Sequence, residues 1–128
     1  MKALSAPLPY FGGKRLLAPQ IVAHFGPHDT YYDLFAGSLA VLFEKKPSRL
    51  EVASEKNADV VNLLDCLSWE PHAKEIWKQT SSEVISESLF MRAAERLSTT
   101  RTACRGNWRR AADFLLVSWQ GPSGLTGT

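Results

Sequence analysis

The sequence predicts an α/β fold, parallel strands with flanking helices, followed by an all-helical segment. Three observations predict it. The run Tyr31-Tyr32-Asp33-Leu34-Phe35 is apolar and aromatic, stops at Ala36-Gly37, and passes directly into helical spacing from Ser38 to Lys46. A second strand-like run, Arg49 to Ser54, follows the Pro47-Ser48 break, so two strands joined through a helix should be parallel with a right-handed crossover. Beyond Ser68 strand-like runs cease and three helical patterns follow.

Each element has a local reason. Pro7 to Lys14 (Pro-Leu-Pro-Tyr-Phe-Gly-Gly-Lys) can propagate neither a helix nor a central strand and is expected as a shaped loop. Gly12 and Gly13 allow close approach to a ligand, and Lys14 brings a charge to it; a plain turn with a solvated lysine is the simpler alternative. Leu17, Ile21, Val22 and Phe25 form a helical stripe with Pro19 in its first turn, ended by Gly26-Pro27. That break separates His24 from His28, which read as surface histidines rather than metal ligands. Leu39, Leu42 and Phe43 line the buried side of the next helix, and Lys45 and Lys46 sit at its C-terminal end, where the helix dipole favours cations.

Asn57 is placed to cap a helix carrying Val60, Val61, Leu64 and Leu67. Helices are then expected over 71–78, 86–97 and 107–119. The last presents Trp108, Ala111, Ala112, Leu115, Leu116 and Trp119 as its apolar stripe. Thr99 to Gly106 reads as a polar linker and Gly121 to Thr128 as a loop or tail.

The 128 residues amount to one domain, with 45% hydrophobic and 22% charged residues, ordinary for a globular protein. No apolar run reaches membrane-spanning length, and no signal-peptide pattern opens the chain. Cys66 and Cys104 lack metal-ligand spacing and read as free thiols of a reducing compartment. A net charge of +2 conceals an asymmetry: residues 92–128 hold six arginines against Glu95 and Asp113. An arginine-rich segment after a charge-balanced half points to a polyanion-facing element, although solvated arginine faces are common.

In a strand–turn–helix unit, ligands sit beyond the carboxyl ends of the strands, here Phe35-Ala36-Gly37 and Ser54-Glu55. Asp33 and Glu55 are 22 residues apart, near the gap of roughly 20 residues between glycine turn and ribose-binding acid in nucleoside-binding folds. Most glycines of a dinucleotide fingerprint are missing, which disfavours a pyrophosphate-bearing cofactor. S-adenosylmethionine places no phosphate on the backbone. Its carboxylate could use Lys14 and backbone donors near the helix start, its ammonium Asp33, and its sulfonium an aromatic face at Tyr10 or Phe35. A purely structural strand–helix–strand unit would show the same residues.

The combination Pro9-Tyr10-Phe11-Gly12-Gly13-Lys14, then Asp33-Leu34-Phe35-Ala36-Gly37-Ser38-Leu39-Ala40-Val41, then Ser54-Glu55-Lys56-Asn57 resembles the Dam-like adenine-specific DNA methyltransferases. Order and spacing agree as well as the motifs, over at least residues 7–67. The resemblance implies a partial Rossmann-like class I methyltransferase fold, with an S-adenosylmethionine-binding α/β part at residues 1–68 and a helical DNA-recognition segment at 69–128. It implies Tyr10, Lys14, Asp33, Phe35, Ala36, Gly37 and Glu55 as the cofactor set and DNA as a partner; Arg101, Arg105, Arg109 and Arg110, around the polar linker and a helix start, are the candidates to contact it. A cytoplasmic protein of prokaryotic or phage origin is implied as well. Two departures stand out: Leu39 replaces a glycine common in relatives, and Glu55 replaces the usual Asp.

Relatives hold the flipped adenine with an Asp-Pro-Pro-Tyr type loop. These 128 residues contain no Pro-Pro pair and no aspartate followed by proline, so no catalytic residue is assigned. The expectation is a protein completed by a complementary chain or a homodimer mate, or a truncated fragment of such an enzyme, or else a non-catalytic S-adenosylmethionine- or DNA-binding module.

Overall fold

The computed structural model describes residues 6–9, 13–81, 86–100 and 104–121. Two compact units divide the chain, residues 1–55 and 56–128. Tyr10, Gly12, Arg101 and the segment 122–128 lie outside the described residues.

In the first unit, a 3-10 turn at Lys14–Leu16 leads into α1 (Ala18–Ala23), with Pro19 in the first turn as its missing N–H requires. Strand β1 (Thr30–Asp33), helix α2 (Ala40–Glu44) and strand β2 (Leu50–Ala53) follow. β1 and β2 pair in parallel, with Tyr31 beside Glu51 and Asp33 beside Ala53. Among the described residues the sheet has these two strands, and the protein is a helix-rich α/β chain.

Alternation along β1 sends Tyr31 and Asp33 to the helix-covered face, where Tyr31 joins Ala6, Ala18, Ala40 and Val41, backed by Ile21, Val22, Leu42 and Phe43. The opposite face carries Tyr32, Leu50 and Val52, all exposed. Lys45, at the C-terminal end of α2, is buried. Its ammonium lies 2.5 Å from Glu51 Oε1 and 4.8 Å from the centre of the Tyr31 ring.

That ion pair gives the unit an acid sensitivity. The Glu51 carboxyl is held below its ordinary 4.5, first by the hydrogen bond from Lys45 and then by the Ser48 N–H, with His28 adding a smaller attraction. A carboxyl depressed by folding stabilises fully above its unfolded pKa and loses that contribution as pH falls through its folded value. Below pH 4.5 the urea midpoint of the first unit should therefore fall more steeply in wild type than in Glu51→Gln. Tyrosine emission reads this unit, since all three tyrosines lie in it; equal slopes would refute the assignment.

The second unit is helical: α3 (Ala58–Leu67), α4 (Glu70–Ser81), α5 (Glu87–Thr99) and α6 (Trp108–Gln120). Asn57 caps α3 by accepting from the Asp59 and Val60 N–H groups; Ser86 and Asn107 cap α5 and α6 in the same way. Helix α6 packs against α3, α4 and α5, and this changes its expected stripe. Ala111, Ala112, Asp113, Phe114, Val117 and Ser118 are buried, whereas Trp119 is exposed. A helix covered from three sides has no single apolar face. Asp113 tolerates burial because Arg96 holds both its oxygens, from Nε at 2.8 Å and Nη2 at 2.6 Å. Helix α3, patterned as part of the strand–helix run, places Val60, Leu63 and Cys66 in this unit's core.

Candidate cofactor site at the carboxyl ends of the strands

The candidate site is built on the turn between β1 and α2. β1 ends at Asp33 and α2 begins only at Ala40, so the turn is longer than the sequence pattern implies. Two of its residues are left-handed, Gly37 at φ 53° and Leu39 at φ 60°. The Leu39 N–H donates to the Ala36 carbonyl at 2.8 Å and tightens the bend. A left-handed backbone explains why glycine suits position 39. For leucine it costs about 1–2 kcal/mol, which burial of the side chain, 6% exposed, offsets by roughly 1.5–3 kcal/mol.

The turn is tied to the end of β2. The Ser54 N–H donates to the Asp33 carbonyl at 2.7 Å, and the Ala36 N–H to the Ser54 carbonyl at 3.0 Å. The Gly37 N–H then donates to Glu55 Oε2 at 2.8 Å. Glu55, half-buried, thus reaches back across the turn with the methylene that distinguishes it from aspartate. A carboxylate offers about four acceptor positions, more than the Gly37 hydrogen bond by itself uses.

Asp33, 8% exposed, accepts from three sides. The Tyr31 hydroxyl donates to Oδ2 at 2.9 Å; the Phe35 N–H and the Lys14 ammonium approach Oδ1 at 3.3 and 3.5 Å. Lys14 also donates to the Phe35 carbonyl at 2.6 Å. Lys14, Asp33, Phe35, Ala36, Gly37 and Glu55 therefore occur together at one end of the sheet, with the Phe35 ring 82% exposed beside them. Tyr10 is outside the described residues. Gly13 has extended backbone (φ −62°) that any residue can adopt, so the freedom expected of it is not used here.

Pattern reading of the residues missed Tyr31. Its place two positions before Asp33 on the same strand face was the available signal. Burial and the Asp33 carboxylate push its phenol well above the ordinary value, so it stays a proton donor. A cleft of about 550 Å3 between Phe25–Asp29 and Lys45–Ser48 lies at the opposite, amino end of the strands, away from these converging polar groups.

In the second unit the arginines behave differently from one another. Arg105 is 77% exposed and pairs with Asp65 at 2.7 Å. Arg109 is exposed, its guanidinium 4.6 Å from the Trp108 ring centre. Arg110 is turned inward: Nε and Nη2 donate to the two Asp59 oxygens at 2.6 and 3.0 Å, and Nη1 to the Leu97 and Thr100 carbonyls. Arg101 lies outside the described residues. Cys66 is buried, and burial pushes its thiol up; Cys104 is exposed. Among the described residues no helix is long and apolar enough to cross a membrane.

Comparison with known families matches residues 10–126 to one description, "D12 class N6 adenine-specific DNA methyltransferase". No curated protein matches the chain. The family match runs through both compact units and spans the turn, the Glu55 strand end and the arginine-bearing helices. The chain belongs to the D12 class of N6 adenine-specific DNA methyltransferases.

Proposed function

We propose that the chain binds S-adenosylmethionine at the carboxyl end of its two strands and contributes to DNA recognition in adenine-N6 methylation. The observation that carries this reading is the gathering of Lys14, Asp33, the Gly37 N–H and Glu55 around one turn. The donor set fits the cofactor: one ammonium and two carboxylates gather around the Ala36-Gly37 bend, and among the described residues no cradle of glycine amides is present for a pyrophosphate. When bound, S-adenosylmethionine supplies an electrophilic methyl group on a sulfonium.

Glu55 would accept the ribose hydroxyls, Asp33 the ammonium, and Lys14 would meet the carboxylate. Phe35, or Tyr10 from the sequence motif, would supply an aromatic face for the sulfonium, worth about 0.5–2 kcal/mol. Ala36 and Gly37 leave room for the nucleoside. For DNA, Arg101, Arg105 and Arg109 are the phosphate-facing candidates, and Arg110 supports them by holding α6 to α3 and to the end of α5.

Adenine-N6 transfer also calls for a loop of Asp-Pro-Pro-Tyr type to hold the flipped base, a motif that these 128 residues do not contain. The exposed Tyr32, Leu50 and Val52 face of the sheet supports a complementary chain or a second copy beside it, since a parallel sheet is ordinarily covered on both faces. DNA substrate and a soluble methyl donor favour a cytoplasmic setting.

Calorimetric titration with S-adenosylmethionine tests the cofactor site. Wild type should bind, and Glu55→Ala should bind at least about tenfold more weakly. Absence of heat in wild type, or equal affinity in the variant, would overturn the reading. Methyl transfer to DNA by the chain alone would remove the need for a partner; binding without transfer in any mixture would make it a non-catalytic module.

A further inference from the structure

We propose that Tyr31 is a positioning residue for the methyl donor: its buried hydroxyl clamps one oxygen of Asp33 and leaves the other aimed at the cofactor's ammonium. The inference rests on the cofactor reading above and extends it to the part of the ligand that Asp33 distinguishes.

The two oxygens of Asp33 are not equivalent. Oδ2 accepts from Tyr31 at 2.9 Å, a short bond between two buried side chains. Among the described residues, Oδ1 receives the longer contacts from Phe35 N–H and Lys14, at 3.3 and 3.5 Å. A ligand ammonium could replace or join those at little loss, whereas displacing Tyr31 would strand a buried hydroxyl.

Tyr31 is itself held from several directions. Its ring packs in the apolar core of the first unit. The Lys45 ammonium lies against the ring, kept in place by Glu51, the cross-strand neighbour of Tyr31. The Phe25 and His28 rings approach with centroids at 5.9 and 6.5 Å. A phenylalanine would fill the same space, so the one thing the tyrosine adds is the bond to Asp33. The phenol is raised far above its ordinary value by burial and by Asp33, which keeps it a donor wherever the protein is folded.

The consequence is a selective one. Asp33 would recognise the amino-acid end of the cofactor, not its nucleoside. Tyr31→Phe in the full chain should therefore weaken S-adenosylmethionine binding about tenfold. It should leave 5′-methylthioadenosine, which keeps the nucleoside and sulfur but lacks the amino-acid chain, within about twofold of wild type. Both ligands are titrated calorimetrically at a temperature where both proteins are folded by circular dichroism. A general loosening of the turn would weaken both ligands equally and would overturn the proposal, as would unchanged S-adenosylmethionine affinity. Wild type that binds neither ligand would instead overturn the cofactor site itself.

Discussion

Arg110→Ala is expected to destabilise the helical unit by about 3 kcal/mol, the lower end for breaking a buried ion pair. Arg110 is 10% exposed and joins Asp59, on α3, to the carbonyls that close α5. Removing it takes the arginine partner from the Asp59 carboxylate and one donor from each of two carbonyls. The lower end applies because Asp59 keeps about a quarter of its side chain in water. Urea unfolding followed by tryptophan emission measures this directly, because all four tryptophans lie in residues 56–128. Arg105→Ala should shift the same transition by less than about 1 kcal/mol, since its pair with Asp65 is exposed. Similar small shifts for both variants would show that Arg110 does not tie the helices together.

Asp33→Ala should act twice. It leaves the buried Tyr31 hydroxyl without an acceptor, at a stability cost of about 2–3 kcal/mol. It also removes the charge expected to face the ammonium, which should lower S-adenosylmethionine affinity at least about a hundredfold. Asp33→Asn separates the two effects, because an amide oxygen still accepts a hydrogen bond but carries no charge. The asparagine variant should recover most of the urea midpoint read by tyrosine emission and little of the affinity read by calorimetry. If Asp33→Asn bound the cofactor as wild type does, the carboxylate would not be a ligand group.

The order of elements was legible in the residues because each carries a short-range signal. Asn57, Ser86 and Asn107 precede helical spacing and cap helices in the structure. The aromatic run before Ala36-Gly37 and the run before Ser54 became two parallel strands. The motifs also sufficed for the family, which matches residues 10–126.

Side-chain pairing across the fold was not legible, because it depends on which surfaces meet. Nothing local distinguishes Arg110 from Arg109; only the approach of α3 to α6 turns one guanidinium inward and leaves the other over Trp108. Lys45 looks like a helix-end cation, yet the parallel pairing of β1 with β2 puts Glu51 and the Tyr31 ring around it. The turn shows both kinds of information. Its position, its glycine and its two acids were determined by the sequence alone. The left-handed Leu39, the reach of Glu55 to the Gly37 N–H and the clamp of Tyr31 on Asp33 were decided by the tertiary structure, because they arise only once two strands lie side by side and a core closes over one face.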